Sequence, residues 1–257
     1  MANRGTKEGT DEEVAFVKKL NQKQSDLWKI LNLDFKTHFA VHVKTQQKGK
    51  ISKYKVFPKA DIFIAKGKID NHILEKIDYY VDDTQIEKYD LTPITKTGIS
   101  VKLSDSKSYT IQKFTPTTFK KIFDNYELGA GASLYSKNEK DFNKNFKVIE
   151  GWNTDLNNVL SFFLNKGLEI SKNQKDFNLN DAKLIKKYAI KKISNIIQTD
   201  ENISNFVFQG IGNFEEPYTA HYLFEKGELK NSCKIPFSVT TGSGRSRGDF
   251  TIVLKPK

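Results

Sequence analysis

"GISVKLS" (98–104) alternates, with Ile99, Val101 and Leu103 on one face and Ser100 and Lys102 on the other. That is the period of a strand. A lysine on the inner run of such a strand needs a reason. Alone it would reach back to water along its stem, because a buried lysine without a partner is costly. The sequence offers a partner upstream. In "FPKADIFI" (57–64) Asp61 opens an apolar run, where a carboxylate is costly to desolvate unless a cation stands near it. The two strands together are the core of an α/β protein whose sheet carries an acid and a lysine.

Composition sets the limits around that pair. The chain has 257 residues, 37% of them hydrophobic and 12% aromatic, enough to bury a substantial core in one large domain or two small ones. There is no repeat, no Pro- or Gly-rich linker and no low-complexity tract, so one domain over 1–257 is expected. No apolar run is long enough to span a bilayer. "MANRGTKEGTDEE" has no apolar signal region, and the single cysteine, Cys233, excludes a disulfide framework or a cysteine-rich zinc site. A cytoplasmic location is expected. The formal net charge is +11, which favours a polyanionic partner and would fit DNA, RNA or an anionic surface. Arg4, Arg245 and Arg247 are the only arginines. Two of these three fall in one short loop.

Element by element, "GTDEEVAFVKKLNQ" (9–22) predicts an opening amphipathic helix with a capping box from Thr10 to Glu13. "HFAVHVKT" (38–45) and "KYKVFPKADIFIAKG" (53–67) read as extended, and "NHILEKIDYYV" (71–81) as helical. Further helices are expected near 117–124, 154–166 and 180–198. "NFVFQGIG", "YTAHYLFE", "KIPFSVTT" and "DFTIVLK" predict a β-rich C-terminal part. The expected class is α/β, a mixed central sheet flanked by helices.

An aspartate and a lysine on paired strands suit metal-assisted phosphodiester hydrolysis, the carboxylate holding Mg²⁺ and the lysine orienting the attacking water. "PKAD" (58–61) followed by "ISVKLS" (99–104) resembles the PD-(D/E)XK nuclease signature, and in particular that of type II restriction endonucleases that cut short palindromes. The first helix and the Gly-rich, basic "TTGSGRSRGDFTIVLK" fall in the same order as in that superfamily. The resemblance implies a restriction-endonuclease-like fold and a Mg²⁺-dependent enzyme that hydrolyses double-stranded DNA to 5′-phosphates. It also implies a monomer or homodimer on a short palindromic site, with a cognate DNA methyltransferase as genetic partner. The catalytic strands would lie at about 54–104 and the DNA-reading strands and loops at about 204–257.

Carried over by residue, the resemblance makes Asp61 the metal-binding acid and Lys102 the catalytic lysine. Ser100 stands where the superfamily has a second acid. A serine is a weak Mg²⁺ ligand, so the main-chain carbonyl of Val101 and a borrowed carboxylate would complete the shell. Glu13 is the candidate for that carboxylate, although the capping box explains it without any chemistry. For DNA, Arg245 and Arg247 in the loop with Ser243 suit bidentate reading of guanine. Alternatively, that loop is a nonspecific phosphate clamp. Lys107, Tyr109 and Gln112 would touch backbone or a groove edge. His38 and His42 share a strand face without making a zinc pair, and no P-loop is present. Two other readings stay open: a repair or nicking endonuclease of the same superfamily, and a DNA-binding protein without catalysis.

Overall fold

The computed structural model describes residues 4–22, 26–81, 83–102, 109–134, 152–242 and 251–257, and the side chains of all of these except 4–9 and 83. In chain order the elements are α1 (Arg4–Asn21), α2 (Leu27–Leu31), β1 (His38–His42), β2 (Gln47–Lys48), β3 (Lys55–Val56), β4 (Ile62–Lys66), α3 (Asn71–Lys76), α4 (Asp83–Lys88), β5 (Thr92–Pro93) and β6 (Ile99–Val101). They continue with β7 (Gln112–Phe114), α5 (Pro116–Phe123), α6 (Tyr126–Ser133), α7 (Leu156–Leu164), α8 (Leu179–Thr199), α9 (Glu201–Gln209), β8 (Tyr222–Glu225), β9 (Glu228–Lys230), β10 (Phe237–Thr241) and β11 (Ile252–Pro256). The class is the mixed α/β one expected, with four strands after residue 221. No helix among the described residues is long and apolar enough to cross a membrane.

The chain forms two compact units, residues 1–107 with 205–235 and residues 108–204 with 236–257. In the first, the strands run β1-β4-β6-β8-β9 across a mixed sheet, with β5 also on β4. β4 is antiparallel to β1 and β6, while β6 and β8 are parallel. Runs such as "IFIA" and "ISV" are buried along their length, as β-branched residues in a central strand should be. On α1, Phe16, Val17 and Leu20 are buried against β1, β4 and β6, in a cluster with Val41, Ile62, Ile64, Ile99 and Val101. Each fully buried side chain of this kind contributes about 1.5 to 3 kcal/mol. This packing holds α1 on the sheet.

The second unit pairs β10, β11 and β7 into an antiparallel sheet. Around it α6 carries "GAGAS", buried throughout. A side chain at Gly129 would collide with the ring of Trp152, and one at Gly131 with Phe163 and Ile185. The small residues let the helices of this unit approach closely.

Four elements differ from the local expectation. α1 begins at Arg4, not at residue 9, so Thr10 is not an N-cap and the capping box from Thr10 to Glu13 does not form. Both residues lie inside the helix. "NFVFQ" is helical, not extended, because Asp200 accepts the Ile203 N–H at 3.0 Å as a cap and Gly210, at φ +78°, ends the helix. The 53–67 stretch divides into β3 and β4 around Pro58, which lacks the N–H a ladder needs. The 71–81 helix stops at Lys76, with Asp78 and Tyr79 in the left-handed region.

Candidate active site

β4 and β6 meet at Ile62 and Ile99, so Asp61, one residue before β4, stands opposite Ser100. The Asp61 backbone is tied on both sides: its N–H donates to the Ile99 carbonyl at 2.9 Å, and its carbonyl accepts from the Val43 N–H at 2.9 Å. Its carboxylate folds onto β6. Oδ2 accepts the Val101 N–H at 2.7 Å and the Ser100 hydroxyl at 3.2 Å, and Lys102 Nζ lies 3.7 Å from it. All three of these interactions fall on Oδ2. Along β6 the backbone alternates: the Lys102 N–H turns to Phe224 of β8, whereas Val101 turns its N–H to Asp61. The Val101 carbonyl leaves the strand on the same side as its N–H.

The lysine on the inner run now has its reason. The Asp61 and Lys102 side chains are 23% and 26% exposed, so their attraction is less screened than that of a surface pair. Ser100 is buried and acts as a donor, restraining the acid beside it.

Glu13 enters from α1. It lies on the stripe of Phe16, Val17 and Leu20, at the i, i+3, i+4, i+7 spacing of a helix face. Its Oε2 is 2.9 Å from Nε2 of His42, whose side chain is 1% exposed. With Glu13 ionised, Nε2 carries the proton and donates. The buried Nδ1 of His42 has no partner among the described residues. Burial raises the Glu13 pKa above the usual carboxylate value; the His42 hydrogen bond opposes this, the charge of Asp61 adds to it and the charge of Lys102 opposes it. Glu13 is therefore within electrostatic reach of both Asp61 and Lys102. His38 is used elsewhere, with Nδ1 2.9 Å from the Asp34 carbonyl oxygen.

Lys59 is a second lysine at the site, one that the sequence pattern does not single out. Burial pushes its pKa down to about 7, the charge of Lys102 adds to the fall, and Cys233 and Asp61 oppose it. Gly210 lies against its stem, where a Cβ would come within 2.7 Å of Lys59 Cγ. The signal was present in "PKAD": in an extended segment, residues 59 and 61 point to one side. Cys233 is inert here. Burial pushes its thiol up to about 12, and it donates to the Tyr222 carbonyl at 3.0 Å.

Among the described residues no three His, Cys, Asp or Glu side chains gather as a metal cluster. What the site offers is two carboxylates and a carbonyl, all hard oxygen donors. That set suits Mg²⁺, which keeps several waters and takes one or two carboxylates plus substrate phosphate. Of the residues read as DNA contacts, Ser243, Arg245, Arg247 and Lys107 lie outside the described residues. Tyr109 and Gln112 belong to the second unit, where Gln112 Nε2 donates to the Lys113 carbonyl at 3.0 Å.

No protein-family model matches the chain, and no curated protein matches it. Among solved structures, the restriction endonuclease MspI in complex with its cognate DNA is similar at a TM-score of 0.40 and 16% identity, over 94% of this chain and 83% of that one. A likeness of that degree carries no functional weight, which rests instead on the residues around Asp61.

Proposed function

We propose that this chain is a Mg²⁺-dependent endonuclease of double-stranded DNA, and that it acts as a type II site-specific enzyme. The observation that supports it best is the Asp61 carboxylate, held through one oxygen by Val101, Ser100 and Lys102. Asp61 Oδ1, the Val101 carbonyl and Glu13 would hold the ion. When bound, Mg²⁺ would polarise the scissile phosphate and lower the pKa of a water. Lys102 orients the attacking water and balances charge developing on the phosphate. Ser100 and the Val101 N–H keep the Asp61 carboxylate in one orientation, and His42 does the same for Glu13. In-line attack leaves a 5′-phosphate and a 3′-hydroxyl. Base reading falls to Arg245 and Arg247, whose planar forks suit guanine.

Digestion of a long phage DNA tests the proposal. Discrete fragments in Mg²⁺ support a site-specific enzyme, nicks alone point to a repair or nicking enzyme, and retardation without cutting points to a binder.

Two substitutions separate roles within the site. Ser100→Ala removes one of three interactions at Oδ2, so the single-turnover rate should fall about tenfold, the equivalent of roughly one hydrogen bond, and far less than for Asp61→Ala. Loss as complete as that of Asp61→Ala would mean that the hydroxyl does more than restrain the acid. His42→Asn frees the Glu13 carboxylate, and the Mn²⁺ concentration needed for half-saturation, read by calorimetry without DNA, should rise by about 10- to 100-fold. An unchanged titration would place Glu13 outside the metal shell.

A further inference from the structure

The outward face of α8 carries a row of donors with no acid among them. Ala182, Ile185, Ala189, Ile193 and Ile197 turn inward and are buried, while Lys183, Lys187 and Lys191 are exposed at four-residue spacing and Asn195 continues the row. The one acidic residue of the helix, Asp181, is buried and used. It caps the helix through the Asn178 N–H at 3.0 Å and accepts the Ser171 hydroxyl at 2.6 Å. Among the described residues Lys183, Lys187 and Lys191 have no ion-pair partner, and like charges four apart on a helix repel. An external anion would relieve that repulsion.

We propose that this row is a second nucleic-acid contact, binding the phosphate backbone of duplex DNA without reading sequence. Four helical residues rise about 6 Å, and phosphates on one strand follow at about 3.4 Å along the duplex axis, so successive lysines match about every second phosphate. Asn195 adds an amide donor of the kind that bonds phosphate oxygens. A lipid surface fits less well, since a membrane-bound helix turns an apolar face outward. Here only Leu184 among the large apolar residues of α8 is exposed.

The proposal rests on the DNA reading above but is tested separately from it. The full chain and a Lys183→Gln/Lys187→Gln/Lys191→Gln variant are titrated with a random-sequence duplex, without divalent ions, over a range of salt. The slope of log K against log salt should fall by about two to three in the variant, at about 0.9 for each phosphate that is no longer neutralised. A triple Lys→Arg variant should keep the wild-type slope. A lower slope supports the row even if the protein never cuts DNA, in which case only the cleavage reading fails. An unchanged slope in a protein that does cut DNA overturns the row alone. Loss of binding to phosphatidylserine vesicles with duplex binding intact also overturns it.

Discussion

Lys102→Ala and Asp61→Ala should each abolish cleavage while the protein still binds its DNA. For Lys102 the loss should be about a hundred- to ten-thousandfold in single-turnover rate, the range for a side chain that handles the attacking group. For Asp61 it should be at least as large, because the same carboxylate stands beside the lysine and, in the function proposed, would supply a metal oxygen. Binding should not follow rate. Removing the Asp61 charge takes a negative group away from the place proposed for a phosphate, so affinity measured without metal should hold or rise. The comparison needs rate and affinity on one duplex. Either variant cutting at the wild-type rate would remove the site from Asp61 and Lys102 altogether.

Gly98→Ala should be the most damaging single methyl in the first unit. Gly98 precedes β6, and its carbonyl accepts the N–H groups of His221 and Tyr222 at 2.7 and 3.0 Å. A Cβ there would run into the Thr219 carbonyl and come within 2.9 Å of the Ala60 Cβ. Backbone cannot swing aside as a side-chain end can, so β6 would have to part from the 218–222 segment or from Ala60. The expected cost is about 2 to 3 kcal/mol, or roughly 5 to 10 °C in Tm. Cleavage should fall with it even below the melting temperature, because Ser100, Val101 and Lys102 all ride on β6. A Gly98→Ala protein that melts with the wild type would show that the neighbouring segment can recede.

"GISVKLS" alternates with the period of a strand and "IFIA" is a short unbroken apolar run of the kind a buried strand carries, which is why both could be recognised as strands and why Asp61 and Lys102 could be paired from the sequence. Glu13 was visible only in part. Its place on the stripe of Phe16, Val17 and Leu20 was readable, but a nearby Thr10 suggested a cap. In the structure α1 continues to Arg4, so Thr10 is not its cap. Lys59 was readable in "PKAD" only as a residue on the Asp61 side of the strand; the burial that lowers its pKa is carried by no local pattern. α6 escaped for another reason: "GAGAS" has poor helix propensity, and its small side chains matter only against Trp152, Phe163 and Ile185. In "NFVFQGIG" the aromatic and β-branched residues imitate a strand, yet Asp200 and Gly210 mark a helix start and stop on either side.

The most direct measurement is a single-turnover digest of a linear duplex by the wild-type protein, once with Mg²⁺ and once with a chelator. The products should appear only with Mg²⁺, and their ends should be 5′-phosphates and 3′-hydroxyls that DNA ligase rejoins without further treatment. An intact duplex in Mg²⁺, or equal cutting in the presence of the chelator, would contradict a metal-assisted nuclease centred on Asp61.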